Sequence, residues 1–148
     1  MGDRAGCHEQ MRRAESTAER IRAGEEPPET EYVQRGLVEV QHAEVLRMLG
    51  DLGPAQSYAE EALSTVDLSH LRSQVHRFAT LEMVLAARDD VEASAAVAYQ
   101  MLDRAQGMES RRVRDRVKAV SGAICAQGDS IVAREFAERA RDQLNAPI

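Results

Sequence analysis

Two Gly-Asp pairs in this chain are followed by alanines at identical distances: Gly50-Asp51 by Ala55 and Ala62, and Gly128-Asp129 by Ala133 and Ala140. The pattern Gly-Asp-x3-Ala-x6-Ala has a physical reading. A glycine at the end of a helix takes the left-handed conformation that stops it. An aspartate just beyond is suited to cap the helix that follows. Small residues seven apart share one helical face and let that second helix lie close against the first. Asp89 with Ala93 is a degraded third copy, in which Arg88 replaces the glycine and Gln100 the last alanine. Gly2-Asp3 with Cys7 and Ala14 makes a fourth. An arbitrary bundle of amphipathic helices has no need of the same turn four times in register, so the pattern predicts a repeating helix-turn-helix unit.

Glycine and proline divide the rest of the chain into seven helical segments. The first runs from about Asp3 to Arg22 and ends in Ala23-Gly24-Glu25-Glu26-Pro27-Pro28, which no helix crosses. The second is expected from near Thr30 to Leu49, with Val33, Leu37, Val40, Ala43, Leu46 and Leu49 at helical spacing. Pro54 falls in the first turn of the third, where its missing N–H costs nothing. Ser69 is the expected N-cap of the fourth, which carries Leu71, Val75, Phe78, Leu81 and Leu85. The fifth spans roughly Val91 to Ala105, the sixth Ser110 to Ala126 and the seventh Ser130 to Leu144. Every segment has the 3.6-residue period and none alternates as a strand does, so the fold class is all-α. One domain over residues 1–148 is expected, with a half-repeat helix at 1–24 and repeats at 30–66, 69–106 and 110–145. Because the first motif copy opens at Gly2, the chain reads as a piece of something longer.

Composition narrows the function by exclusion. The net charge of -6 argues against general affinity for nucleic acid, which depends on Lys and Arg neutralising phosphates. No stretch approaches the length of an apolar membrane span. Met1-Gly2-Asp3-Arg4 lacks the apolar run of a secretion signal, and two cysteines far apart, Cys7 and Cys125, suit a reducing cytoplasm better than a disulfide framework. Eighteen of the nineteen basic residues are Arg, with Lys118 the exception, a bias typical of a high-GC genome.

No catalytic or cofactor constellation emerges. His8, His42, His70 and His76 are scattered, and no Cys-x2-Cys or His-Glu-x2-His pairing points to a metal. Cys7 and His8 are adjacent, but neighbouring side chains on a helix diverge by about 100 degrees. There is no Gly-rich phosphate loop and no Gly-x-Ser-x-Gly. The densest charge, Arg111-Arg112-Val113-Arg114-Asp115-Arg116-Val117-Lys118, places Val113 and Val117 at core positions and reads as a solvated flank. The chain is expected to be a non-enzyme without cofactors.

The Gly-Asp turn with its two small residues resembles the tetratricopeptide repeat, although the intervals from Asp to Asp, 48, 38 and 40, exceed that family's period of about 34. The resemblance implies a right-handed α-solenoid of antiparallel helices. The order Ala43-Glu44-Val45-Leu46-Arg47-Met48-Leu49-Gly50-Asp51, Tyr58-Ala59-Glu60-Glu61-Ala62-Leu63 and Glu109-Ser110-Arg111-Arg112-Val113-Arg114-Asp115-Arg116 further resembles the C-terminal repeat region of actinobacterial helix-turn-helix transcriptional regulators. That likeness implies a sensor and dimerisation module that binds a protein or peptide, with the DNA-binding part elsewhere. A free-standing scaffold is the alternative. Counting from each Gly-Asp turn, the concave face of such a solenoid is expected to present Leu37, Val40, Glu44 and Arg47, then Val75, Phe78, Glu82 and Leu85, then Asp115, Lys118, Gly122 and Cys125. The expected partner-binding residues are Leu37, Val40, Glu44, Arg47, Val75, Phe78, Glu82 and Lys118.

Overall fold

A computed structural model of the chain describes residues 3–22, 36–66 and 68–146. Within them lie seven α-helices and no strand: α1 (Arg4–Arg22), α2 (Leu37–Leu49), α3 (Leu52–Ser64), α4 (Leu71–Ala87), α5 (Val91–Ala105), α6 (Arg111–Ala126) and α7 (Ile131–Asn145). Of the helix expected from Thr30 to Leu49, residues 30–35 lie outside the described residues, and α2 starts at Leu37 after Gly36 at φ 84, a left-handed conformation that a right-handed helix cannot run through. The expected turn at Ala23–Pro28 lies outside the described residues. Pro54 falls in the first turn of α3, and α4 begins after His70 rather than after Ser69.

The helix ends show what the recurring turn does. After α2, Gly50 is left-handed at φ 79; its N–H reaches the Arg47 carbonyl at 3.1 Å, and the Asp51 N–H reaches the Leu46 carbonyl at 2.9 Å. That pair of reversed bonds satisfies the carbonyls a helix end leaves open. After α4 the same pair recurs one residue later than the sequence suggests. Asp89, at φ 58, takes the place of the glycine; its N–H bonds the Ala86 carbonyl at 3.0 Å and the Asp90 N–H bonds the Leu85 carbonyl at 3.2 Å. Aspartate tolerates the left-handed region better than most residues, which lets it stand in for glycine there. The capping role therefore falls to Asp90, whose side chain accepts from the Ala93 N–H at 3.1 Å. The third copy of the motif is thus Asp89-Asp90-x3-Ser94-x6-Met101, and Ser94 and Met101 are fully buried, whereas the expected Gln100 is exposed.

The aspartates are not uniform caps. Asp3 caps α1, accepting from the Gly6 N–H at 2.9 Å. Asp51 makes no side-chain cap and instead pairs with Arg4 at 3.3 Å. Beside Gly128, at φ 130, the expected cap Asp129 points outward to Arg134, and Ser130 caps α7 through the Ala133 N–H at 3.1 Å.

The chain forms two compact units, Met1–Val66 and Asp67–Ile148. In the first, α3 packs on α2 and α1 rests on α2. The small face of α3, Ala55, Ala59 and Ala62, is completely buried, as close helix approach requires. In the second, α4 packs against both α5 and α6, and α7 against α6 and α5. Its core is built on Val75, Val84, Ala98, Met101, Leu102, Val120, Ile124 and Phe136, with Phe136 edge-on to Tyr99 at 5.3 Å. Cap geometry makes a discriminating test. Asp90→Ala and Ser130→Ala should each lower unfolding free energy by about 1 kcal/mol. Asp129→Ala should stay within about 0.5 kcal/mol of wild type in the same denaturant titration.

Candidate partner-binding face

In the first unit, α1 is fastened to its neighbours at two places. Near its start, Arg4 donates to the Leu49 carbonyl and pairs with Asp51, and His8 lies 3.9 Å from the same carboxylate. A guanidinium at the end of α2 also opposes that helix's negative pole. Two turns along, Glu15 accepts from the Tyr58 hydroxyl at 2.6 Å and faces Nδ1 of His42 at 3.2 Å, while the His42 and Tyr58 rings meet edge-on at 5.0 Å. The Tyr58 phenol is pushed up to about 12, first by its bond to Glu15, then by burial, with the Glu15, Glu61 and Glu39 carboxylates adding to it. His42 itself is buried, and Cys7 gives neither of its ring nitrogens a hydrogen bond, so no thiol–imidazole pair forms.

These clamps hold α1 so that Cys7, Met11 and Ala14 line an open groove of about 530 Å³ with Gln41, His42 and Val45 of α2. The register of the turn motif explains its chemistry. Counted from the capping Asp3, Cys7, Met11 and Ala14 stand where Ala55, Ala59 and Ala62 stand relative to Asp51. On α3 those positions are buried completely, whereas on α1 Met11 is buried, Cys7 half-buried and Ala14 exposed. Among the described residues no helix buries the Cys7 and Ala14 positions of this face, while Met11 between them is buried. On α2, Gln41 and Val45 belong to a stripe at i, i+4, i+8 and i+11 that begins at Leu37 and ends at Met48. Leu37 and Met48, outside the groove on the same stripe, are 48% and 78% exposed.

The residues expected to meet a partner are placed differently from one another. Leu37 lies on this stripe, Val40 is buried, and Glu44 and Arg47 are half-buried on α2. In the second unit Lys118 is exposed on α6, but Val75, Phe78 and Glu82 are buried and offer a partner no surface. The one-residue shift at Asp89 accounts for this. Aligning Asp89 with Gly50 puts Glu82 opposite Ala43 and Phe78 opposite Glu39, all buried, and moves Glu44 opposite Met83. The α4 positions equivalent to Leu37, Val40, Glu44 and Arg47 are therefore His76, Ala79, Met83 and Ala86. Phe78 is further covered by the Arg104 guanidinium, 4.5 Å from its ring centre and held by Gln74 at 2.8 Å.

Glu82 has the most altered environment in that unit. Its side chain is fully buried among α4, α5 and the end of α6, accepts from the Ser94 hydroxyl at 2.8 Å, and is pushed up to about 7 by burial, against the lowering effect of that hydroxyl. Met11, Gln41, Val45 and Met48 were not among the expected partner residues, although the spacing of the α2 stripe was there to find. Among the described residues no helix is long and apolar enough to cross a membrane, and no three His, Cys, Asp or Glu side chains converge on a metal site. No protein family, curated protein or solved structure matches this chain. The clamp at Glu15 makes a spectroscopic prediction. In an alkaline titration followed by tyrosinate absorbance, Tyr58 should ionise near 12, and Glu15→Gln should bring that midpoint back toward 10. An unchanged midpoint in the variant contradicts the clamp.

Proposed function

We propose that this chain is a non-catalytic module that binds a protein or peptide helix, and that the α1–α2 face of the first unit is where the helix docks. The observation behind this reading is the partly uncovered register on α1. Cys7, Met11 and Ala14 repeat the spacing by which Ala55, Ala59 and Ala62 bury α3, yet they line an open apolar groove with Val45, and Leu37 and Met48 stand exposed further along the same α2 stripe. A partner helix laid there would take on α1 the place that α2 takes on α3, with apolar anchors three and four residues apart.

The finer architecture in this reading is that of a tetratricopeptide-like right-handed solenoid of antiparallel helix pairs, supported by the capped turn that recurs with the same pair of backbone bonds at Gly50 and Asp89. The biological setting is the cytoplasmic sensor and dimerisation region of a bacterial transcriptional regulator whose DNA-binding part is not in this chain. The residues that favour it are Ala43 to Asp51, Tyr58 to Leu63 and Glu109 to Arg116. A free-standing scaffold that joins two proteins is the second reading. The gene decides between them: a helix-turn-helix pattern in frame before Gly2 supports the regulator, and translation beginning at Met1 supports the scaffold.

Site-specific photocrosslinking in the native host tests the docking face. A photoreactive residue at Ala14 should give a discrete protein adduct that the same residue at Lys118 does not. Met48→Arg, a change at an exposed position with little expected cost to folding, should cut the adduct at least about tenfold, the effect of about 1.4 kcal/mol. Identical adducts from both positions, or none from Ala14, would refute the assignment.

A further inference from the structure

We infer that Glu82, Ser94 and Gln127 form a proton-dependent latch that holds the C-terminal end of α6 to α4 and α5, closed while Glu82 is the neutral acid and loosened when it ionises. The three residues come from three places in the second unit. Glu82 lies on α4, Ser94 is one turn into α5, and Gln127 is the residue that ends α6. The Gln127 side-chain amide donates to Ser94 Oγ at 3.1 Å, and that hydroxyl donates onward to Glu82 Oε1 at 2.8 Å. Both Glu82 and Ser94 are fully buried.

Counting donors and acceptors identifies the missing hydrogen. The cluster leaves two buried oxygens without a donor, Glu82 Oε2 and Gln127 Oε1. An ionised carboxylate makes both of them acceptors, and a buried acceptor with no donor is costly. One proton on Glu82 Oε2 turns it into a donor, and Gln127 Oε1 is the acceptor left open in the same cluster. Neutral Glu82 therefore removes the buried charge and gives the cluster a donor, whereas the carboxylate leaves a charge in a fully buried site with one hydroxyl to stabilise it.

Only burial and the Ser94 hydroxyl shift the Glu82 carboxyl, with no contribution from a neighbouring cation; Arg104 of α5 lies over Phe78 and bonds Gln74, and Arg77, five residues before Glu82 on α4, is buried and engaged elsewhere. One turn to either side of Glu82 on α4 stand Phe78, Ala79, Leu85 and Ala86, all apolar, and buried Thr80 donates to the His76 carbonyl. On α5, Asp90 lies one turn before Ser94, and its carboxylate is engaged with the Ala93 N–H. At the end of α6 the nearest ionisable side chains are Cys125 and Asp129, both exposed and the latter paired with Arg134, and in the α4–α5 turn Arg88 and Asp89 are exposed as well. Desolvation accordingly dominates, and it raises the Glu82 carboxyl from 4.5 to about 7.

The direction of the pH effect follows. Between 4.5 and about 7 the folded chain holds a proton that the unfolded chain has released. The stabilisation is complete below 4.5, declines as pH rises through the folded value near 7, and is absent above it. The latch thus loosens on the alkaline side of neutrality.

A carbon-13 titration of the glutamate carboxyls in the full chain, followed together with the Gln127 side-chain amide and the Ser94 backbone amide, tests this. Glu82 should titrate with a midpoint between about 6 and 8, and both reporters should move with the same midpoint. In Glu82→Gln the reporters should not titrate. That variant should melt at least about 4 °C above wild type near pH 8, with the gap closing below pH 5. If it does not fold, Ser94→Ala serves instead: removing the hydroxyl that lowers the Glu82 value should move the carboxyl midpoint further up and uncouple Gln127 from it. A Glu82 midpoint near 4.5, or reporters that ignore the carboxyl, would overturn the latch.

Discussion

The left-handed residue that ends α2 and α4 is the constraint on which the rest of this structure depends. At Gly50 and again at Asp89, one residue with positive φ reverses the chain, and two backbone bonds return to the helix just completed. That geometry sets where the next helix starts and so which of its faces turns inward. From there the packing is determined by size. Alanines at 55, 59 and 62 allow α3 to approach α2 closely, and Ser94, Ala98 and Met101 play that part on α5. A slip of one residue at such a turn moves every side chain on the following helix by about 100 degrees. The turn therefore controls the core more strongly than any single hydrophobic contact.

The same constraint explains why the two units differ in what they expose. In the first, Arg4 and Glu15 fasten α1 at two heights, and the face between them leaves Cys7 and Ala14 accessible among the described residues. In the second, the equivalent faces are filled, and one of the buried slots on α4 is occupied by a carboxyl group. Ala43 fills that slot on α2, whereas Glu82 fills it on α4, where Ser94 replaces the alanine found at position 55. The two substitutions belong together, because the hydroxyl of Ser94 is what makes an acid at position 82 tolerable.

Much of this was legible in the sequence, for reasons that belong to particular residues. Helix period and the breaks at Gly50, Asp89 and Gly128 carried the all-α class and most helix boundaries. The second repeat was misread by one residue because Asp89, and not a glycine, takes the left-handed conformation, and residue type alone does not reveal which aspartate of Asp89-Asp90 does so. That single step put Val75, Phe78 and Glu82 on an expected binding face when they are in the core. The helical spacing across Gly36 did not reveal that this glycine takes a left-handed conformation and sets the start of α2 at Leu37. The role of Ser130 as cap was hidden because Asp129 stands beside it with an equal claim. The clamps at Arg4 and Glu15 join residues more than forty positions apart and leave no local trace in sequence.

A binding role rests on α1 leaving Cys7 and Ala14 accessible where α3 buries Ala55 and Ala62. Cys7 reports directly on that claim, since its thiol sits in the groove while Cys125, exposed on α6, supplies an internal reference. The measurement is the alkylation rate of each thiol in the native chain at one pH, read by mass spectrometry. An open groove predicts that Cys7 reacts within about tenfold of Cys125, because a thiol in contact with solvent needs no unfolding to be reached. Protection of Cys7 by several orders of magnitude would mean that the chain itself fills the groove, and the proposed docking face would not exist.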